Sequence, residues 1–220
     1  MRGKELLTTD QRLEWMTPSN SEWELATYYT FSQHDLEIIN LHRRDYNRLG
    51  FAVQLALLRY PGWSLTDIKK IPDFLLNYLA KQLDIDPEVF SLYARRENTL
   101  WDHLKEIREE YGFTTFTTND YRRLLKYLFN LALENGNAVH LIRAALDELR
   151  RSKIILPAIT TIERVVWEAR HRAEERIYRQ IHAALTSYQK QKLDKLIEPV
   201  IGTGKNNTWL AKRTDRTILS

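Results

Sequence analysis

Within residues 118–134 the apolar side chains Tyr121, Leu124, Leu125, Leu128 and Ala132 fall at i, i+3, i+4, i+7 and i+11, with Arg122, Lys126 and Asn130 on the opposite row. This is the 3.6-residue period of a helix that buries one face, and it does not fit the two-residue alternation of a strand. The pattern predicts further helices over 9–16, 33–40, 43–59, 72–83, 87–94, 98–111, 138–152, 160–185 and 187–198. Only seven Gly and six Pro interrupt 220 residues that are 43% hydrophobic, enough for a sizeable core. The expected fold class is therefore all-α, with no strand needed.

Start and stop signals agree with that reading. Ser32 with Asp35, Thr117 with Asp120, and Thr160 with Glu163 each place a hydroxyl three residues before a carboxylate, close to a capping box. Asp86-Pro87 is another start, because Asp caps and Pro suits the first helical position. Gly62 after Pro61, Gly112, Asn135-Gly136 and Pro157 are the stops. The Thr-rich stretch from Phe113 to Thr118 divides the chain into two helical subdomains, 1–114 and 115–200. After Pro199, the run Gly202-Thr203-Gly204-Lys205 opens a flexible tail, 201–220, and the chain reads as a fragment of a longer protein.

The net charge of +4 is unevenly spread. Residues 1–40 carry three basic and seven acidic side chains, 41–142 carry fourteen and thirteen, and 143–195 carry twelve and seven. The basic excess in the second half suits a polyanionic partner, since Lys and Arg at phosphates release condensed counterions.

Two segments have helix-turn-helix spacing. In Leu75–Arg96, Ala80 gives room for a second helix starting at Pro87, which would expose Arg95 and Arg96. In the second segment, Arg150, Arg151 and Lys153 end one helix, Pro157 forces a turn, and Thr160 caps the next. Thr160, Thr161, Glu163 and Arg164 would then occupy the turn that enters a major groove, with Arg170 and Arg172 on the backbone. Arg43, Arg44 and Arg48 form a further basic row, and Arg122 and Arg123 another. The competing reading is a long core helix burying Ile162, Val166, Ala169, Ala173 and Ile177, with its arginines merely solvated.

Several chemistries lack their residues. With no Cys, disulfides and thiolate zinc sites are excluded, and no His pair has the i, i+4 spacing of a helical zinc site. Gly202–Lys205 fails as a phosphate loop, because Asn206 stands where Ser or Thr is required. Carboxylate pairs such as Asp102/Glu106 read as solvated helix faces. No apolar run is long enough for a secretory signal or a membrane span, so a cytoplasmic, soluble protein is expected.

The stretch Arg48–Gly62, RLGFAVQLALLRYPG, resembles a signature of the Tn-three family of replicative bacterial transposases. Leu7-Thr8-Thr9 leading to Arg12, Tyr93-Ala94-Arg95 running to His103-Leu104 and Gly112-Phe113, and Leu156-Pro157 through Thr161-Ile162-Glu163-Arg164 agree with it. One departure is Leu100, where the family pattern carries a basic residue. The resemblance implies amino-terminal helical modules that bind double-stranded DNA at the terminal inverted repeats. It also implies a catalytic core with a DDE carboxylate triad beyond these residues, so that Mg²⁺ belongs to that core and no cofactor to this chain. The alternative function is a helical interaction domain through which the same transposase self-associates.

Overall fold

The computed structural model describes residues 6–18, 20–68, 70–93 and 97–197. Ten α-helices occur among them: α1 (Thr9–Met16), α2 (Glu22–Tyr28), α3 (Gln33–Asn40), α4 (Asp45–Arg59), α5 (Asp73–Leu83), α6 (Glu97–Tyr111), α7 (Thr118–Glu134), α8 (Ala138–Arg151), α9 (Ile159–Ala184) and α10 (Ser187–Ile197). A 3₁₀ helix spans Pro87–Leu92, and two short strands, β1 (Thr114–Thr115) and β2 (Ile154–Ile155), pair in parallel. The chain is essentially all-α, as its periodicity predicts.

The differences from the sequence reading have local causes. α2 was not anticipated because it buries no residue completely and so lacks an apolar stripe. The segment expected as a helix over 87–94 is a 3₁₀ helix, closed by i→i+3 bonds from Val89 N to Asp86 O and from Tyr93 N to Phe90 O. α4 begins at Asp45 rather than 43, which leaves Arg43 and Arg44 in the approach to the helix. The strand pair forms where the chain is extended, after Gly112 at φ +73° and after Lys153 at φ +53°.

The first compact unit, Met1–Ala173, holds two apolar cores. One surrounds α4, whose residues Leu49 to Leu58 are all buried, with Tyr29, Ile39, Leu75, Leu79 and Ile107 packed about it. Arg59 closes α4 onto α3 through a forked pair with Asp35, at 3.0 and 2.6 Å. Burial opposes the Asp35 charge, but the Arg59 bonds and the Ser32 cap outweigh it and hold the carboxyl at about 2.

A polar chain runs through this core. Gln54 donates to Tyr93 Oη and to the Leu100 carbonyl, and Tyr93 Oη lies 2.9 Å from His103 Nδ1. Since Gln54 donates to the phenol, the phenol proton points to His103, whose Nδ1 accepts it. The ring of His103 also packs on His42, centroids 4.4 Å apart, and His42 Nε2 lies 3.6 Å from Glu106. Burial, then the His42 charge, depress His103 to about 4, and burial depresses His42.

A pH dependence follows, with a definite sign. Unfolded histidines take up protons below about pH 6.5, whereas His103 in the fold stays neutral until about 4. Stability is therefore intact above about pH 6.5 and falls as pH drops toward 4, at roughly 1.4 kcal/mol per pH unit for each such histidine. Asp35 keeps its contribution through that window, because its loss begins only as pH falls through the ordinary carboxyl value of 3.8 and is complete below about 2. Urea midpoints measured near pH 7, 6 and 5 should decline, and the decline should shrink in His103→Gln.

The other core gathers the inner faces of α7, α8 and the part of α9 up to Ala173, with Leu7 and Trp63 inserted from earlier in the chain. Trp63 Nε1 donates to Pro157 O at 3.0 Å, Leu156 N to Gly62 O at 2.9 Å, and Arg150 Nε to Pro61 O at 2.8 Å. The second unit, Glu174–Ser220, contains the remainder of α9 and α10 among its described residues. Within it Thr186 and Gln189 cap α10 reciprocally, and Tyr178, Ile181, Tyr188, Leu193 and Leu196 are exposed.

Candidate nucleic-acid interface

β1 and β2 run parallel, and each leads within three residues into a helix. α7 and α9 therefore start on the same side of the pair, where their positive dipole ends are presented together. Between them opens a cavity of about 570 Å³. Thr115, Phe116, Thr117, Thr118 and Tyr121 line it on one side, and Ile155, Leu156, Pro157, Thr161 and Arg164 on the other.

Thr160 does not cap α9. The helix begins at Ile159, with Ala158 O accepting from Thr161 N at 2.8 Å and Ile162 N at 3.4 Å, so Thr160 and Thr161 lie within the first turn and Arg164 in the second. The expected partner, Glu163, is not an exposed readout residue but 5% exposed, paired with Arg12 at 2.9 Å. Its carboxylate is taken up by the amino-terminal segment and cannot fold back onto a cap. With Ile159, Ile162, Val165, Val166 and Ala169 buried, the strip Thr160, Arg164, Glu168, Arg172 lies outward at i+4 spacing.

That strip is locally braced. The Arg164 guanidinium sits 5.7 Å over the Tyr121 ring, Tyr121 Oη donates to Glu168, and Arg172 pairs with Glu168. Burial, then the Glu168 bond, raise the Tyr121 phenol. Arg164 is thus held along the cavity edge by an aromatic ring while the residue remains exposed.

The remaining expected residues are distributed differently. Arg122 is exposed on α7, and Arg123 is exposed beside Asp120 at 3.1 Å. Arg150 is largely covered, held by Pro61 O and Asp147 and stacked 4.9 Å over Tyr60. Arg151 pairs with Glu148, and Lys153 Nζ donates to Tyr111 O at 3.0 Å. Arg170 is half-buried, with Nε lacking a bond. On α4, Arg48 pairs with Asp45, Arg44 binds Tyr46 at 2.8 Å, and Arg43 is exposed without a carboxylate partner among the described residues. Arg95 and Arg96 lie outside the described residues. The structure thus brings Thr161 and Arg164 to one cavity with the start of α7, and keeps Arg43, Arg44 and Arg48 with the other core.

Sequence reading missed Thr115, Thr117, Thr118 and Tyr121 as neighbours of Arg164. The capping-box signal at Thr117 marked the α7 start, but only the β1–β2 pairing, two residues long on each side, brings that start to α9.

Comparison with known proteins adds a lineage. The family described as a domain of unknown function, DUF4158, matches residues 6–169. The transposase of transposon Tn1546 from Enterococcus faecium is 55% identical over 95% of the chain, and that of Tn501 from Pseudomonas aeruginosa 37% over 93%. The transposase of transposon gamma-delta from Escherichia coli K12 is 33% identical over 88%. The chain spans about a fifth of the length of these relatives, 21%, 20% and 20% respectively. The resemblance to Tn-three transposases carried by Arg48–Gly62 and its companion segments is borne out, and the chain belongs to the DUF4158 family, with relatives among transposon transposases that it matches over nearly all of its own length.

Proposed function

We propose that this chain is the DNA-binding region of a transposase and recognises the terminal inverted repeats of its transposon in replicative transposition. The observation that carries the reading is the cavity edge where α7 and α9 begin, with half-buried Thr161 and exposed Arg164 beside Thr117 and Thr118, and exposed Thr160 next to them in the first turn of α9. The positive ends of helices suit phosphate oxygens, and threonine and arginine suit both phosphates and base edges. Arg122 and Arg123 in the first turns of α7, Arg151 at the end of α8, and Arg172 on the outward strip of α9 serve as backbone contacts. Arg43, Arg44 and Arg48 supply a second footprint from the other core, so that subdomains 1–114 and 115–200 each bind modestly and gain from being linked.

The whole protein, by this reading, is a DDE-type transposase working at the nucleoid in the cytoplasm, with its catalytic core and Mg²⁺ outside these residues. Among the described residues no group of three or more His, Asp or Glu is arranged to hold an ion, and no step is assigned to a metal here. No described helix is long and apolar enough to cross a membrane.

Footprinting on a duplex carrying one end of Tn1546 tests the reading, together with a salt titration against a scrambled duplex. Protection confined to the transposon end, and affinity falling steeply with salt, are expected. Replacing Arg43 and Arg44 by Ala should weaken both duplexes alike and lower the salt slope by about one unit per lost contact. Unchanged slopes would return that pair to the solvent.

A second reading, self-association, is favoured by the exposed Tyr178, Ile181, Tyr188, Leu193 and Leu196 of the second unit. It expects a concentration-dependent mass without DNA and no salt-sensitive binding.

A further inference from the structure

We infer that Glu163 and Arg12 form a positioning device that sets the aspect of the α9 start, and so governs discrimination between DNA sequences without touching DNA. The inference rests on the DNA reading proposed above. Glu163 Oε1 accepts from Leu6 N at 3.2 Å, Leu7 N at 3.0 Å and Arg12 Nη2 at 3.1 Å, and its Oε2 accepts from Arg12 Nη2 at 2.9 Å. The carboxylate is buried, and so is Leu7, which lies in the core behind α9.

Three features separate this pair from an ordinary stabilising contact. It joins residues 151 positions apart, in two of the segments that carry the family resemblance. It sits on α9 immediately before Arg164, about 100° around the helix from it, so it is fixed to the same turn as the exposed arginine but faces inward. It also satisfies a buried acceptor with directional donors, two amides and a guanidinium, where apolar packing would hold the helix without fixing its rotation. A small rotation of α9 about its axis would leave the apolar face packed while moving Arg164 off the Tyr121 ring and shifting Thr161 in the cavity wall. The clasp removes that freedom.

The test uses the 220-residue chain with a Tn1546-end duplex and a scrambled duplex at a temperature well below unfolding. Glu163→Gln keeps an acceptor for the Leu6 and Leu7 amides but loses the ion pair. Arg12→Lys keeps the buried charge paired and the fold intact, but exchanges the planar fork for a point charge. Affinity for the transposon end should fall about tenfold in Glu163→Gln and about threefold in Arg12→Lys. Affinity for the scrambled duplex, and the salt slope on both, should stay at the wild-type values. A purely structural role lowers the melting temperature without changing the ratio of the two affinities. Hydrogen exchange at Leu6 and Leu7 reports whether the clasp has opened. Open amides with an unchanged affinity ratio would overturn the inference, as would equal losses on both duplexes. A wild-type chain that does not distinguish the duplexes removes the base-reading proposal itself, and the inference with it.

Discussion

Gly50→Ala is expected to destabilise the fold by about 3 kcal/mol or more, at the upper end of what overpacking a core costs. A Cβ built at this position would lie 2.0 to 2.3 Å from atoms of the Tyr93 ring. The ring cannot swing away freely, because its hydroxyl is held by Gln54 and His103 and its face stacks on His103, 5.5 Å between centroids. The backbone of α4 cannot retreat either, since residues Leu49 to Leu58 are buried on every side. Thermal unfolding followed by circular dichroism should show a midpoint roughly 6–12 °C lower, at about 2–4 °C per kcal/mol for a chain of this size. Pairing the change with Tyr93→Ala vacates the space, so the double variant should lose much less than the two single losses together. Strict additivity would mean that the ring and the helix do not press on each other.

The same glycine measures what could be read from the sequence. By helix propensity alone, Ala at an interior helical position is better than Gly by about 1 kcal/mol, so a sequence reading assigns this change the opposite sign. The fold class was legible because amphipathic spacing, as at Tyr121 to Ala132, is a local property of the chain. So were the caps at Ser32 and Thr117, each closed within four residues. The Arg48–Gly62 stretch was legible as a family mark but not as to its purpose. In the fold it serves packing and bracing, through Gly50 against Tyr93, Gln54 in the polar chain, and Pro61 and Gly62 tied to Arg150 and Leu156. Thr160 and Glu163 had cap spacing, yet the carboxylate is claimed by Arg12 from the far end of the sequence, which no local pattern reports. The candidate site was half visible for the same reason. Arg164 and Thr161 share a helix turn, whereas Tyr121 and Thr118 reach them only through tertiary structure.

Arg164→Ala should cost roughly ten- to hundredfold in affinity for a transposon end, because a bidentate arginine on guanine is typically worth about 1 to 3 kcal/mol of discrimination. Binding to random DNA should fall much less. The fold should survive the change: Arg164 is exposed, its contact with the Tyr121 ring is an exposed cation–π pair worth about 0.5–1 kcal/mol, and Ala is the stronger helix former. Arg164 lies in the second turn of α9, one turn deeper than the exposed Thr160 and half-buried Thr161, so these threonines come first along the helix and the arginine reaches past them from the cavity edge. Arg164→Lys separates charge from geometry, since lysine keeps the phosphate attraction and loses the planar fork. A base reader is then impaired nearly as much by Lys as by Ala, whereas a phosphate clamp is largely rescued. Titrations of both variants on a transposon end and a scrambled duplex, with circular dichroism as the folding control, decide between them. Equal losses on both duplexes, rescued by Lys, would make Arg164 a backbone contact and move the search for the base reader to Thr161. No loss on either duplex would remove the α9 start from the DNA interface.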